Sequence, residues 1–80
     1  MSKSEIISPL PGIFYRKPSP DSAVFKADGD SVAENDVVGV VEVMKSFHQV
    51  MAGISGTNIR FSAEDGDAIM AGDVIAEVEV

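Results

Sequence analysis

The second half of this chain repeats the first, and that constrains the fold more than any single segment does. "GDSVAENDVVGVVEV" (29–43) overlays "GDAIMAGDVIAEVEV" (66–80) at an offset of 37, with seven of fifteen positions identical. Most of the other pairs are conservative, such as Val32 with Ile69 and Val38 with Ile75. Upstream, "ISPLPGIF" (7–14) overlays "MAGISGTN" (51–58) more weakly at offset 44, through Gly12 and Gly56. Two half-units of about 35–40 residues cannot each bury an apolar face alone, so they must interlock about a pseudo-twofold axis.

The half-units read as β. Short apolar runs are broken at close intervals by Asp, Gly and Asn, and no amphipathic helical stretch of useful length occurs. The pattern predicts strands at Ile6–Ser8, Ile13–Tyr15, Val24–Lys26, Val37–Val43, Phe47–Met51, Thr57–Phe61 and Val74–Val80. Very short strands are expected at Ser31–Val32 and Ala68–Ile69. "ADGD" (27–30) and "EDGD" (64–67) are turns: Gly supplies positive φ and the Asp side chains bond the local backbone. Asp30, Asp36, Asp67 and Asp73 pair by symmetry and read as turn residues, not metal ligands. The expected fold class is all-β, a flattened β-barrel or sandwich of two pseudo-twofold-related halves. Eighty residues allow one domain; residues 1–5 are expected as an N-terminal tail and 6–80 as the domain.

The two offsets differ by seven residues, so the first half carries an insertion between Gly12 and Gly29. "RKPSPDS", Arg16–Ser22, fits it and holds two of the four prolines. Proline donates no ladder hydrogen bond and biases its predecessor toward extended geometry, so this reads as a stiff projecting loop outside the repeat. A second asymmetry lies at the strand ends. The strand ending at Val43 corresponds to the one ending at Val80. In the first half, however, the chain turns back through Met44-Lys45. Tight two-residue hairpins want positive φ, which Gly or Asn supplies, and Met-Lys is a poor choice for it. Local rules fail where function intervenes. An amine on four methylenes at such a tip suits covalent attachment. An ordinary lysine amine is a cation and a poor nucleophile at neutral pH, so another enzyme must bring an activated acyl group.

Composition narrows the partners. Six basic residues against thirteen acidic ones give a net charge of −7, which repels phosphate backbones and anionic membranes and excludes nucleic acid as the expected ligand. There are no cysteines, so disulfides and thiolate metal sites are absent and a reducing compartment is the natural setting. With no secretory h-region and no membrane-length apolar run, a cytoplasmic location is expected. His48, the one histidine, has no second ligand type nearby and reads as a strand residue. Phe14, Phe25, Phe47 and Phe61 read as core, Tyr15 as a residue of the core edge or the loop base, and Glu42, matched by Glu79, as structural.

"EVMKSF" (42–47) resembles the Glu-Ala-Met-Lys-Met motif of biotinyl domains, in which the lysine carries biotin. "SPLPGIFYRKPSPDS" (8–22) resembles the segment of bacterial-type biotin carboxyl carrier proteins that forms a protruding thumb, and "SGT" (55–57) and "EDGDAIMAGDVIAEVEV" (64–80) match that family's second half. Val43 stands for the motif's alanine and Ser46 for its second methionine. Lys17 lies where the thumb commonly has a small hydroxyl residue. The resemblance implies a barrel-sandwich hybrid with a thumb at 16–22 and covalent biotin on Lys45 flanked by Met44 and Ser46. It also implies a possible contact from Lys17 to the biotin ureido group. The implied role is a non-catalytic carrier, loaded by biotin protein ligase. It would shuttle a carboxyl group from biotin carboxylase to a carboxyltransferase, for acetyl-CoA carboxylation in fatty acid synthesis. A lipoyl-type carrier and an unmodified binding module of the same fold are the alternatives. Lipoyl domains have Asp before the lysine and Ala after it, and lack the thumb.

Overall fold

The computed structural model describes residues 2–19 and 21–80 and contains seven strands: β1 (Lys3–Ile7), β2 (Gly12–Tyr15), β3 (Val37–Val43), β4 (Ser46–Met51), β5 (Thr57–Phe61), β6 (Asp67–Ile69) and β7 (Val74–Glu79). They form two antiparallel sheets, ordered β1-β7-β5 and β4-β3-β2-β6. Among the described residues there is no helix, and so none long and apolar enough to cross a membrane. The flattened all-β architecture is the one expected.

The pseudo-twofold is visible in hydrogen bonds. Val32 bridges Gly56 as Ile69 pairs with Gly12. The amide of Gly29 donates to the carbonyl of Ile59, and that of Gly66 to the carbonyl of Phe14. Each half thus completes the other half's sheet, which is the interlocking that the repeat requires. All four symmetric aspartates do the same work: Asp30, Asp36, Asp67 and Asp73 accept from the backbone amides of Ala27, Ala33, Glu64 and Met70, three residues earlier, at 2.8–2.9 Å. The offset between the halves is 44 at Gly12/Gly56 and 45 at Phe14/Ile59. The extra residue is Asn58, at φ 54°, in a bulge where β5 loses register with β7.

The core is assembled from the same pairs. Val38 with Ile75, Val41 with Val78, Val32 with Ile69, Phe14 with Ile59 and Val50 with Ile6 are all buried. The Phe14/Ile59 pair is unequal in size, and the larger ring fills the space where a side chain at position 39 would stand, so Gly39 faces it. Fully burying each of these side chains contributes about 1.5–3 kcal/mol.

Three expectations need correction. Val24–Lys26 is not a strand: among the described residues the segment makes no ladder, and the amide of Phe25 donates to the carbonyl of Arg16, at 2.9 Å. Ser31–Val32 shortens to the isolated bridge at Val32. Pairing also starts earlier than expected, since β1 begins at Lys3, within the segment read as a tail, and Lys3 lies opposite Glu79.

Candidate functional site

Val43 pairs with Ser46, which leaves two residues for the β3–β4 turn. Met44 adopts φ 49° and Lys45 φ 67°, the left-handed pair of a type I′ turn, whose twist matches that of the flanking strands. Non-glycine residues there cost about 1–2 kcal/mol each. The β3–β4 ladder, running back to Val37 opposite Met51, holds the turn in place. Met44 is 92% exposed, and Lys45 and Ser46 are exposed beside it. Among the described residues, no hydrogen bond or ion pair engages the Lys45 amine. The structure therefore brings Met44, Lys45 and Ser46 together at one free tip. At the equivalent corner of the second half the amide of Val80 bonds to the carbonyl of Ser2, at 2.9 Å.

Below the tip, strand alternation divides the side chains. Val41 faces the core, whereas Glu42, opposite Phe47, and Val40, opposite Gln49, lie on the other face of the sheet, where Val40 is nonetheless buried. Tyr15, opposite Val40, joins that outer face. Over it lies the loop that follows β2. Between loop and sheet runs an open groove of about 500 Å³. Val40, Phe47 and Pro18 give it apolar walls, and Tyr15, Lys17, Ser19, Glu42 and Asp65 its polar lining. A second, more open cleft continues past Phe47 toward Phe25, His48 and Gln49. The Tyr15 hydroxyl donates to Oε1 of Glu42 at 3.2 Å. Burial pushes the phenol's pKa above its ordinary 10.0, and the bond to Glu42 and the charges of Glu42 and Asp65 push it further.

Arg16 anchors the loop rather than belonging to it. Its amide donates to Oδ1 of Asp65 at 2.8 Å, and its guanidinium lies 4.2 Å from the centroid of the Phe61 ring and donates to the carbonyl of Lys26 at 3.1 Å. The symmetric bond, from the amide of Phe61 to Oδ1 of Asp28, places Arg16 in the repeated frame. The projecting segment is thus 17–24, not 16–22, and the expected strand that would have shortened it is absent. Within the loop, Ser22 folds back on Ser19 through both backbone and side chain. Pro20, the second proline of the expected thumb, lies outside the described residues.

Lys17 stands in the groove, apart from the hairpin tip. Phe47, expected in the core, is 62% exposed, because a closing pair at Val43–Ser46 puts position 47 on the outer face. Glu42 reads as structural in the sequence. Its place in the groove could have been found from the alternation of β3, but equality with Glu79 concealed it. His48 is an exposed residue of β4, as expected. Among the described residues no group of three or more His, Cys, Asp or Glu could hold a metal.

The family model described as "Biotin-requiring enzyme" matches residues 4–78. Curated relatives agree. The biotin carboxyl carrier protein of acetyl-CoA carboxylase from Chlamydia trachomatis serovar D is 40% identical over 73 residues, covering 91% of this chain and 44% of its own. Its counterpart in Pyropia yezoensis is 36% identical over 74 residues, covering 92% and 47%. The chloroplastic protein 2 of Arabidopsis thaliana is 39% identical over 62 residues, covering 78% and 24%. This chain therefore spans less than half the length of these relatives.

Proposed function

The chain belongs to the biotin-requiring-enzyme family, and from that premise we propose that it is the biotin carboxyl carrier domain of an acetyl-CoA carboxylase, with biotin joined as an amide to Nζ of Lys45. The observation that carries this reading is the left-handed Met44-Lys45 turn, which holds one primary amine clear of the sheet at a conformational cost no packing need explains. Bound there, biotin supplies a ureido nitrogen that accepts a carboxyl group and gives it up again.

The residues around the hairpin fit such a group. Phe47, Val40 and Pro18 offer an apolar wall for its bicyclic body. Glu42 offers an acceptor for a ureido N–H, and Lys17 a donor for the ureido carbonyl. Met44 and Ser46 flank the amine where a biotin protein ligase must read it. No residue here performs bond chemistry. The chain's part is to hold the arm at high local concentration, on the order of millimolar for a short tether, and to show it in turn to a biotin carboxylase and a carboxyltransferase. Contacts with each must be small, because the carrier has to leave. Amide formation removes one positive charge, taking −7 to −8. The acceptor is acetyl-CoA, supplied for fatty acid synthesis, and the location cytoplasmic. The relatives' names support the acceptor, and the absence of cysteine supports the location.

Intact mass spectrometry after co-expression with a biotin protein ligase tests the reading. A single biotin increment is expected, lost in Lys45→Arg. A lipoyl increment, or an unmodified mass under conditions that label a known carrier, would overturn it.

A further inference from the structure

We propose that the groove between the 17–24 loop and the outer face of β3–β4 distinguishes two states of the arm: it takes in the neutral ureido head and turns away the same head once carboxylated. This inference rests on the carrier reading of Lys45.

The polar groups of the groove are unevenly matched in charge. Glu42 and Asp65 are carboxylates, and among the described residues Lys17 is the one cation lining the groove. Among the described residues Lys17 forms no ion pair with either carboxylate. The Tyr15 hydroxyl fixes Glu42 through Oε1, leaving its remaining lone pairs open to an N–H donor. Asp65 is held in place by the amide of Arg16. Ser19 is already engaged with Ser22. The groove thus offers a charged acceptor, a charged donor and apolar walls, and a neutral ureido ring with two N–H groups and a carbonyl satisfies all three.

Loading changes that match. Bicarbonate gives up one oxygen to the γ-phosphoryl of ATP, ADP and phosphate leave, the departing phosphate takes the ureido N–H proton, and the nitrogen bonds the carboxyl carbon. One donor disappears and one negative charge appears, between two carboxylates and a single ammonium. Burial and like charge both oppose an anion there. Tyr15 reports the same field: its phenol resists ionisation because of burial first and then Glu42 and Asp65. The groove is therefore a resting place for the empty arm, and loading sends the arm back into solvent, where a transferase can take it.

The test is amide NMR of the unmodified, biotinylated and carboxylated protein. The last is held in steady state with catalytic biotin carboxylase, MgATP and ¹³C-bicarbonate, and mass spectrometry monitors biotin occupancy. Amides of Lys17, Glu42 and Phe47 are expected to shift on biotinylation and to return toward their unmodified positions on loading, the docked fraction falling about tenfold or more. In Glu42→Gln, and in Asp65→Asn, which lies off the hairpin and cannot impair ligase recognition of its flanks, the loaded arm should stay docked to a greater extent. Groove shifts that persist or grow on loading would overturn the proposal, as would a biotinylated spectrum identical to the unmodified one. In either case the biotin mass increment would leave the carrier reading intact. Absence of that increment would remove both.

Discussion

The hydroxyl of Tyr15 reaches Oε1 of Glu42 at 3.2 Å, joining β2 to the strand that leads into the lysine hairpin. Tyr15 is the only tyrosine and there is no tryptophan, so phenolate absorbance reports this one group. Its folded pKa lies above the ordinary 10.0, through burial, the bond to Glu42 and the nearby carboxylates. A spectrophotometric titration of the native protein should find its midpoint above 10, and Glu42→Gln should move it down. By linkage, this group's contribution to stability is complete below pH 10 and is lost as the pH climbs through the folded value. A native midpoint at or below 10 contradicts the geometry.

Gly12 and Gly56 are the pair that survives at offset 44, and the reason is contact. A Cβ on Gly12 would strike the carbonyl of Glu42. One on Gly56 would lie 2.6 Å from the carbonyl of Glu79. Both obstacles are backbone and cannot swing aside. Either glycine changed to alanine should cost about 1–3 kcal/mol, read as a lower urea midpoint at unchanged m-value. Gly53→Ala meets no nearby atom and is strained only by its φ of 73°, so it should cost about 1 kcal/mol.

The Met44-Lys45 turn trades stability for access. Lys45→Gly removes a side chain from φ 67° and should stabilise the domain by about 1 kcal/mol, a rise of roughly 4–8 °C in Tm for a domain this size, while abolishing biotin labelling. Moving the lysine to position 44 or 46, with alanine at 45, should also block labelling. Ser46 already belongs to β4, and each step turns the side chain another way. Streptavidin blotting and differential scanning calorimetry on the same samples decide both points. Equal labelling of the shifted variants would show that the ligase does not read the tip.

Asp36 sets an acid limit. The amide of Ala33 donates to its Oδ2 and Lys26 pairs with the same oxygen at 3.0 Å, both holding its carboxyl below the ordinary 3.8. The folded pKa is depressed, so the stabilisation is present above about pH 4 and fades as the pH falls through the folded value. Asp36→Asn should flatten the decline of Tm below pH 4 relative to the parent. Parallel curves would mean that the bond and the ion pair contribute nothing net.

Arg16 and the loop it anchors should separate cleanly. The carbonyl of Arg16 accepts the amide of Phe25 at 2.9 Å, so replacing 17–24 by Gly-Gly leaves a four-residue β-turn closed by a bond already present. That deletion should keep cooperative unfolding. Arg16→Ala, which loses the Phe61 stacking and the bond to Lys26, should cost about 2 kcal/mol. Lysine should not restore it, for want of a planar fork.

What the sequence made legible was whatever the repeat encodes. Asp30 and Asp67 announced their turns, Val41 and Val78 their core positions, and Met44-Lys45 the one strained hairpin, because each obeys or breaks a local rule. Residues whose role depends on the other half were harder to read. Phe47 is as apolar as Phe14, and only the register of a turn with two residues decides that one faces out and the other in. Val24–Lys26 has strand-like composition, but β3 and β6 already occupy both sides of β2. Glu42 and Glu79 are identical in sequence and differ in surroundings: the first meets Tyr15 beneath the loop, the second Asn58 in the bulge.

The bond between Val80 and Ser2 has a topological consequence. Ser2 and Val80 meet where the other half has its hairpin, so the seven strands trace a ring with two equivalent corners. Joining Val80 to Ser2 by a short loop and cutting the ring at an exposed turn, such as the one at Gly66, would preserve every sheet neighbour. The fold specifies a cycle of strands, and the order in which the ribosome delivers them is incidental to it.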